Sequence, residues 1–160
     1  MTQFPAPDLT AFRAACAPGT RLLGVDLGAK TIGLALSDAQ RTIASPLETL
    51  KRTRFTADCA ALGALVQQYG IGGIVIGLPL NMDGSTGPSA QSARAFATNL
   101  ARALTLPVAL WDERLSTAAV ERAMLGADLS RAKRSRAIDK VAAAYILQGA
   151  LDRMARLPPL

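Results

Sequence analysis

Residues 21–38, RLLGVDLGAKTIGLALSD, limit the possible folds of this chain more than any other stretch. Leu22, Leu23, Val25 and Leu27 form the apolar run of a strand covered on both faces. Asp26 interrupts that run. An ionised carboxylate inside a sheet is costly, or shifts its pKa, unless a cation or hydrogen-bond donors meet it. Gly28 follows directly, so the next residue brings no side chain where a metal or phosphate would approach, and Gly28-Ala29-Lys30 can turn tightly. Ile32, Leu34 and Leu36 then alternate with Gly33, Ala35 and Ser37, the period of a second strand. A strand-end aspartate that merely caps a turn would fit this segment equally well, so the decision rests on the rest of the chain.

Downstream, Thr42 to Leu50 reads as a third strand broken early by Pro46. Thr56 to Tyr69 is helical, with Leu62, Leu65, Val66 and Tyr69 on one face and Gly70 as its stop. Gly73 to Leu78 is a short buried strand of the parallel type. Pro79 to Pro88, PLNMDGSTGP, is a loop, and a helix from Ser89 to Leu104 carries Ala93, Phe96, Ala97 and Leu100 inward. Pro107 to Trp111 is another strand, with Asp112-Glu113-Arg114 at its C-terminal end. Ser116 or Thr117 caps a following helix that Gly126 ends, and a last helix runs from Ala137 to Arg153 behind a basic segment, Ser130 to Arg136. Residues 1–20 read as an appended arm in which Asp8 caps a short helix presenting Leu9, Phe12 and Cys16. The expected organisation is that arm plus one domain, 21–160. A hairpin-led sheet continued by right-handed crossovers gives an α/β fold, a mixed five-stranded sheet flanked by helices, the layout of ribonuclease H-like proteins.

Composition narrows the chemistry. There is no histidine, which excludes histidine-based catalysis, and two cysteines without ligand spacing argue against zinc. No apolar run approaches the roughly 18 residues of a membrane span, and the N-terminus lacks a basic start with a long apolar core. A cytoplasmic protein with no membrane partner is expected. A net charge of +6 favours a polyanionic partner. One Trp, two Tyr and four Phe are too few for base-stacking platforms, so contacts to a nucleic-acid backbone should dominate.

Among the twelve acids, Glu113 lies at the carboxyl end of a core strand, where open α/β sheets place ligands. A solvated strand end reads the same way. Asp139 falls in the first turn of the expected last helix, where a carboxylate can simply favour the helix dipole. Asp58, Glu121, Asp128 and Asp152 suit helix surfaces or ends, and Asp83-Gly84 is a turn pair. If Asp26 were joined by two more carboxylates, mutual repulsion would call for a cation, and all-oxygen ligation selects Mg²⁺ or Mn²⁺. Two such ions can activate water and stabilise the leaving oxygen of a phosphodiester. Lys30 and Arg114 could meet phosphate nearby, with Asn81 as a positioning residue. Arg131, Lys133, Arg134 and Arg136 form the densest positive cluster, either a solvated loop or a phosphate grip just before Asp139.

GVDLGAKTIGLALSD (24–38), IVIGLPLNMDGSTGPSAQSARAFA (74–97), DERLST (112–117) and KRSRAIDKVAAAYIL (133–147) carry a family resemblance. With these segments the chain resembles the YqgF-type pre-16S ribosomal RNA nucleases, also described as Holliday junction resolvases and related to RuvC. The resemblance implies a metal-dependent endonuclease whose acids are Asp26, Glu113 and Asp139, and a nucleic-acid partner. That partner is a 16S rRNA precursor or its ribosomal precursor particle, or else branched DNA. Where the family's last motif often reads Asp-Ser, Lys140 follows Asp139 here. A monomer or weak dimer is expected. The alternatives to 5′-end processing of pre-16S rRNA are junction resolution and a non-catalytic nucleic-acid-binding factor. An actin-like phosphotransferase would need a second domain for which this length leaves no room.

Overall fold

A computed structural model describes residues 5–115 and 131–159, with the side chains of 131–136 outside that description. Five strands form one mixed sheet: β1 (Arg21–Leu27), β2 (Thr31–Ser37), β3 (Ala44–Lys51), β4 (Ile71–Leu78) and β5 (Val108–Asp112). Their order is β3-β2-β1-β4-β5, with β1 antiparallel to β2, β2 antiparallel to β3, and β1, β4 and β5 mutually parallel. Proline cannot donate to a ladder and belongs at edges and bulges. Pro46 obeys both conditions, lying on edge strand β3 beside a register shift.

Alternation along the strands divides the core into two layers. Leu23, Val25, Ile32, Leu34, Ile74 and Ile76 pack under α2 (Phe55–Tyr69) and α3 (Pro88–Leu104). Leu22, Ala35, Val75, Ala109 and Trp111 face α1 (Leu9–Ala15) and α4 (Arg131–Ala155). The expected inner stripe of α3 is buried, and Gly70 ends α2 in the left-handed conformation at φ 64°. Asp8 caps α1 by accepting from the Ala11 N–H at 2.8 Å, and Phe12 and Cys16 enter the α4-side core. Arg13 ties α1 to the chain end, donating to the carbonyls of Met154 and Pro158.

Two expectations change. The last helix begins at Arg131, six residues early, because Ala, Arg and Lys are good helix formers and no Gly or Pro interrupts them. Asp139 therefore lies two turns inside α4, beyond the reach of the terminal dipole, and that explanation of it fails. Asp58 does lie at a helix end, in the first turn of α2, and is buried there: its carboxylate turns back to accept from the Thr53 N–H and hydroxyl at 2.8–3.1 Å, fastening the start of the helix. The helix expected between Ser116 and Gly126, with Glu121 and Asp128, lies outside the described residues.

Candidate nuclease site

The site is built at the carboxyl end of β1 by strand register and two glycines. Leu22 and Gly24 face α4, so Asp26, two residues further on, projects to the same side. It is 9% exposed. On one flank Asp26 pairs with Gly33 of β2. On the other, Val25 pairs with Ile76 of β4, which brings Gly77 alongside Asp26. Both glycines are overlain by an acid. A β-carbon on Gly33 would stand 2.1 Å from the Asp139 carbonyl oxygen and 3.0 Å from the Asp139 Cβ. One on Gly77 would stand 3.2 Å from Cγ and Cδ of Glu113. Absence of side chains beside Asp26 is what lets α4 and the short 3₁₀ turn Glu113–Leu115 lay their carboxylates across this end of the sheet.

Asp139 is oriented by Thr31, the first residue of β2, whose Oγ1 donates to Oδ2 at 2.5 Å. Thr31 also closes the turn after β1, its carbonyl accepting from the Gly28 N–H at 2.9 Å. Among the described residues no three His, Cys, Asp or Glu side chains already stand as a ligand cluster. The candidate donors are all carboxylate oxygens, the chemistry a hard divalent ion selects, and over Gly77 the tip of Ile146 packs beside Glu113.

The other expected residues are placed as follows. Lys30 is exposed on the β1–β2 turn. Asn81 is exposed too, but its amide donates to Ser85 Oγ at 2.9 Å and its backbone N–H to the Ser85 carbonyl, so it shapes the 79–88 loop from within. Arg114 spends its guanidinium on Asp112, with contacts of 2.7–3.1 Å, and on the Met82 carbonyl at 3.3 Å. The Arg114 hydrogen bonds hold the Asp112 carboxyl below its usual range. Asp83 is lowered chiefly by the Ser85 hydroxyl, with a smaller contribution from Arg114. The pair thus tethers the 79–88 loop to the end of β5. Arg131, Lys133, Arg134 and Arg136 lie on the first turns of α4, and their side chains fall outside the description. Gly33, Gly77 and Thr31 are absent from the expected site. In the sequence Gly33 and Gly77 are simply small residues within strands, and Gly77 shares β4 with Gly72 and Gly73.

A five-stranded mixed sheet in this order, flanked by helices, defines a ribonuclease H-like fold. The structure of Thermus thermophilus RuvC in complex with Holliday junction substrate superposes with a TM-score of 0.54 at 16% identity, covering 88% of this chain and 99% of that one. The family model described as "RuvX: Holliday junction resolvase" matches residues 20–153, and the chain belongs to that family. Curated relatives named "Putative pre-16S rRNA nuclease" include one from Sphingopyxis alaskensis, 62% identical over 94% of this chain and 97% of its own. Another, from Paramagnetospirillum magneticum, is 61% identical over 82% and 85%. No helix among the described residues is long and apolar enough to cross a membrane.

Proposed function

We propose that the protein is a cytoplasmic, divalent-metal-dependent endonuclease that matures the 5′ end of pre-16S rRNA. The observation that carries this reading is the pair of glycines flanking Asp26, each overlain by a second acid. Asp26, Glu113 and Asp139 would hold Mg²⁺ or Mn²⁺, in the two-ion arrangement familiar for phosphodiester hydrolysis. Bound there, the ions would supply an activated water and charge neutralisation at the leaving oxygen. The chain's own residues do the positioning. Thr31 fixes the Asp139 carboxylate, β1 fixes Asp26 at its rigid end, and Lys30 offers a cation to substrate phosphate. Arg114 holds the 79–88 loop in place beside Glu113. Arg131, Lys133, Arg134 and Arg136, set along the start of α4, grip the nucleic-acid backbone in this reading.

The relatives' names favour ribosomal RNA, presented free or within a precursor particle, to a protein acting as a monomer or weak dimer. The family description favours branched DNA, and this is the second reading. A cleavage assay with Mg²⁺ or Mn²⁺ separates them, offering a 16S precursor leader RNA beside a four-way DNA junction. Selective RNA cutting that Asp26→Asn abolishes is expected. Symmetric nicking of the junction would make the protein a resolvase, and unimpaired cutting by Asp26→Asn would refute the site.

A further inference from the structure

On the other side of the β1–β2 turn from the acids lies a pocket of about 210 Å³ lined by Gly28, Arg52, Pro88, Ser89 and Ser92 among others. No acid lines it. Arg52 arrives from the end of β3 and is held before any ligand comes. One Nη donates to the Gly28 carbonyl at 2.7 Å, the other to Ser92 Oγ at 3.1 Å, and the guanidinium carbon lies 6.0 Å from the Phe96 ring centroid. These contacts leave further N–H groups of the planar fork available. The wall opposite is the first turn of the 17-residue helix α3, which starts at Pro88 without any side-chain cap on its N–H groups. Ser89 and Ser92 add two hydroxyls. A fixed guanidinium, uncapped amides and hydroxyls around one small cavity match a tetrahedral dianion or a phosphodiester.

The pocket's position gives the anion an identity. Leu27 and Gly28, which border it, directly follow Asp26, but Leu27 turns toward the α2–α3 layer whereas Asp26 faces α4. A sugar-phosphate backbone crossing the end of β1 would meet the acids on one side, Lys30 on the turn, and this pocket on the other. We infer that the Arg52–Ser89–Ser92 pocket binds a backbone phosphate of the nucleic-acid substrate neighbouring the one cleaved, an inference that rests on the nuclease reading above.

Ser89→Asp tests this while keeping both existing Arg52 acceptors, the Gly28 carbonyl and the Ser92 hydroxyl, in the chain. An acid in the first turn complements the helix dipole, so Tm should hold or rise. Binding of a labelled single-stranded RNA and a labelled four-way DNA junction is read by fluorescence anisotropy without divalent metal. Ser89→Asp should weaken RNA binding about tenfold and make the log–log salt slope shallower by roughly 0.7, the share of one phosphate on a single strand. Gln67→Glu, the same charge change on the exposed side of α2, should alter affinity by less than about twofold, as expected for a screened distant charge. Arg52→Gln should weaken binding, and Arg52→Lys should recover only part of the loss, because charge returns without the fork. Wild-type affinity and slope in Ser89→Asp, or an equal loss in Gln67→Glu, would overturn the pocket. Failure of the wild type to cut either substrate would instead refute the nuclease reading, since binding is scored without cleavage.

Discussion

Replacing Gly33 with alanine probes the arrangement at its tightest point. The new β-carbon would meet the Asp139 carbonyl oxygen at 2.1 Å and its carbon at 2.4 Å, separations under the 3.0 Å that real β-carbons keep. Both atoms are helix backbone, so no side-chain rotation relieves the clash, and α4 must withdraw from β2 by on the order of 1 Å. Overpacking of this kind costs about 1–3 kcal/mol. At 2–4 °C per kcal/mol for a domain near this size, Tm should fall by roughly 2–12 °C. Cleavage should fall further than stability explains, since a 1 Å misplacement of a reacting group can cost on the order of 100-fold. Gly77→Ala makes the informative contrast. Its β-carbon meets the tip of Ile146 at 2.6 Å and the Glu113 side chain at 3.2 Å, groups that can rotate. It should lose less stability than Gly33→Ala, yet still lose cleavage by displacing Glu113. Urea unfolding and a metal-dependent cleavage assay on the same preparations give both quantities. A Gly33→Ala protein within about 0.5 kcal/mol of wild type and cutting at full rate would refute the idea that the Asp26 flanks must stay bare.

Three further outcomes are expected. Asp38 accepts from the Thr42 hydroxyl and from the Ile43 and Thr42 N–H groups, which hold its pKa down to about 2. Its folded value lies below its unfolded one, so its contribution is complete above about pH 4 and lost as pH falls toward 2. Asp38→Asn should therefore flatten the acid limb of stability measured by urea midpoints, and an unchanged limb would contradict that. Asp58→Ala strips the Thr53 N–H and hydroxyl of a buried acceptor and should cost roughly 1–3 kcal/mol in the same unfolding assay. Gly63→Ala, inside α2, meets only the Leu104 Cδ2 at 3.3 Å and should stabilise by up to about 1 kcal/mol with cleavage unchanged.

The sheet was legible because its strands carry their own pattern. The alternation in β2, the unbroken apolar run of β4 and the stop at Gly70 each follow from local physics, and the resulting order admits few topologies. The start of α4 was less legible for a reason equally local. A run of Arg and Lys satisfies a solvated loop and a solvated helix alike, and composition does not choose between them. Asp58 reads correctly as a helix-end residue, but its burial depends on the chain doubling back to Thr53, which helical periodicity does not record.

Site residues divide along the same line. Asp26 stood out because a charge inside an apolar strand is expensive wherever that strand ends up. Gly33 and Gly77 carry as much of the argument, yet a glycine in a strand reads simply as weak sheet former until the register sets it beside Asp26 and a helix crosses above it. Thr31 and Arg52 are invisible for a further reason. Their partners lie 108 residues away in one case and 24 and 40 in the other, so only the folded chain reveals them. Asp26 could be singled out because the cost of a charge inside an apolar strand is intrinsic. Gly33, Gly77 and Thr31 carry no such cost, and it is the geometry between β1, β2, β4 and α4 that sets them against Asp26, Glu113 and Asp139.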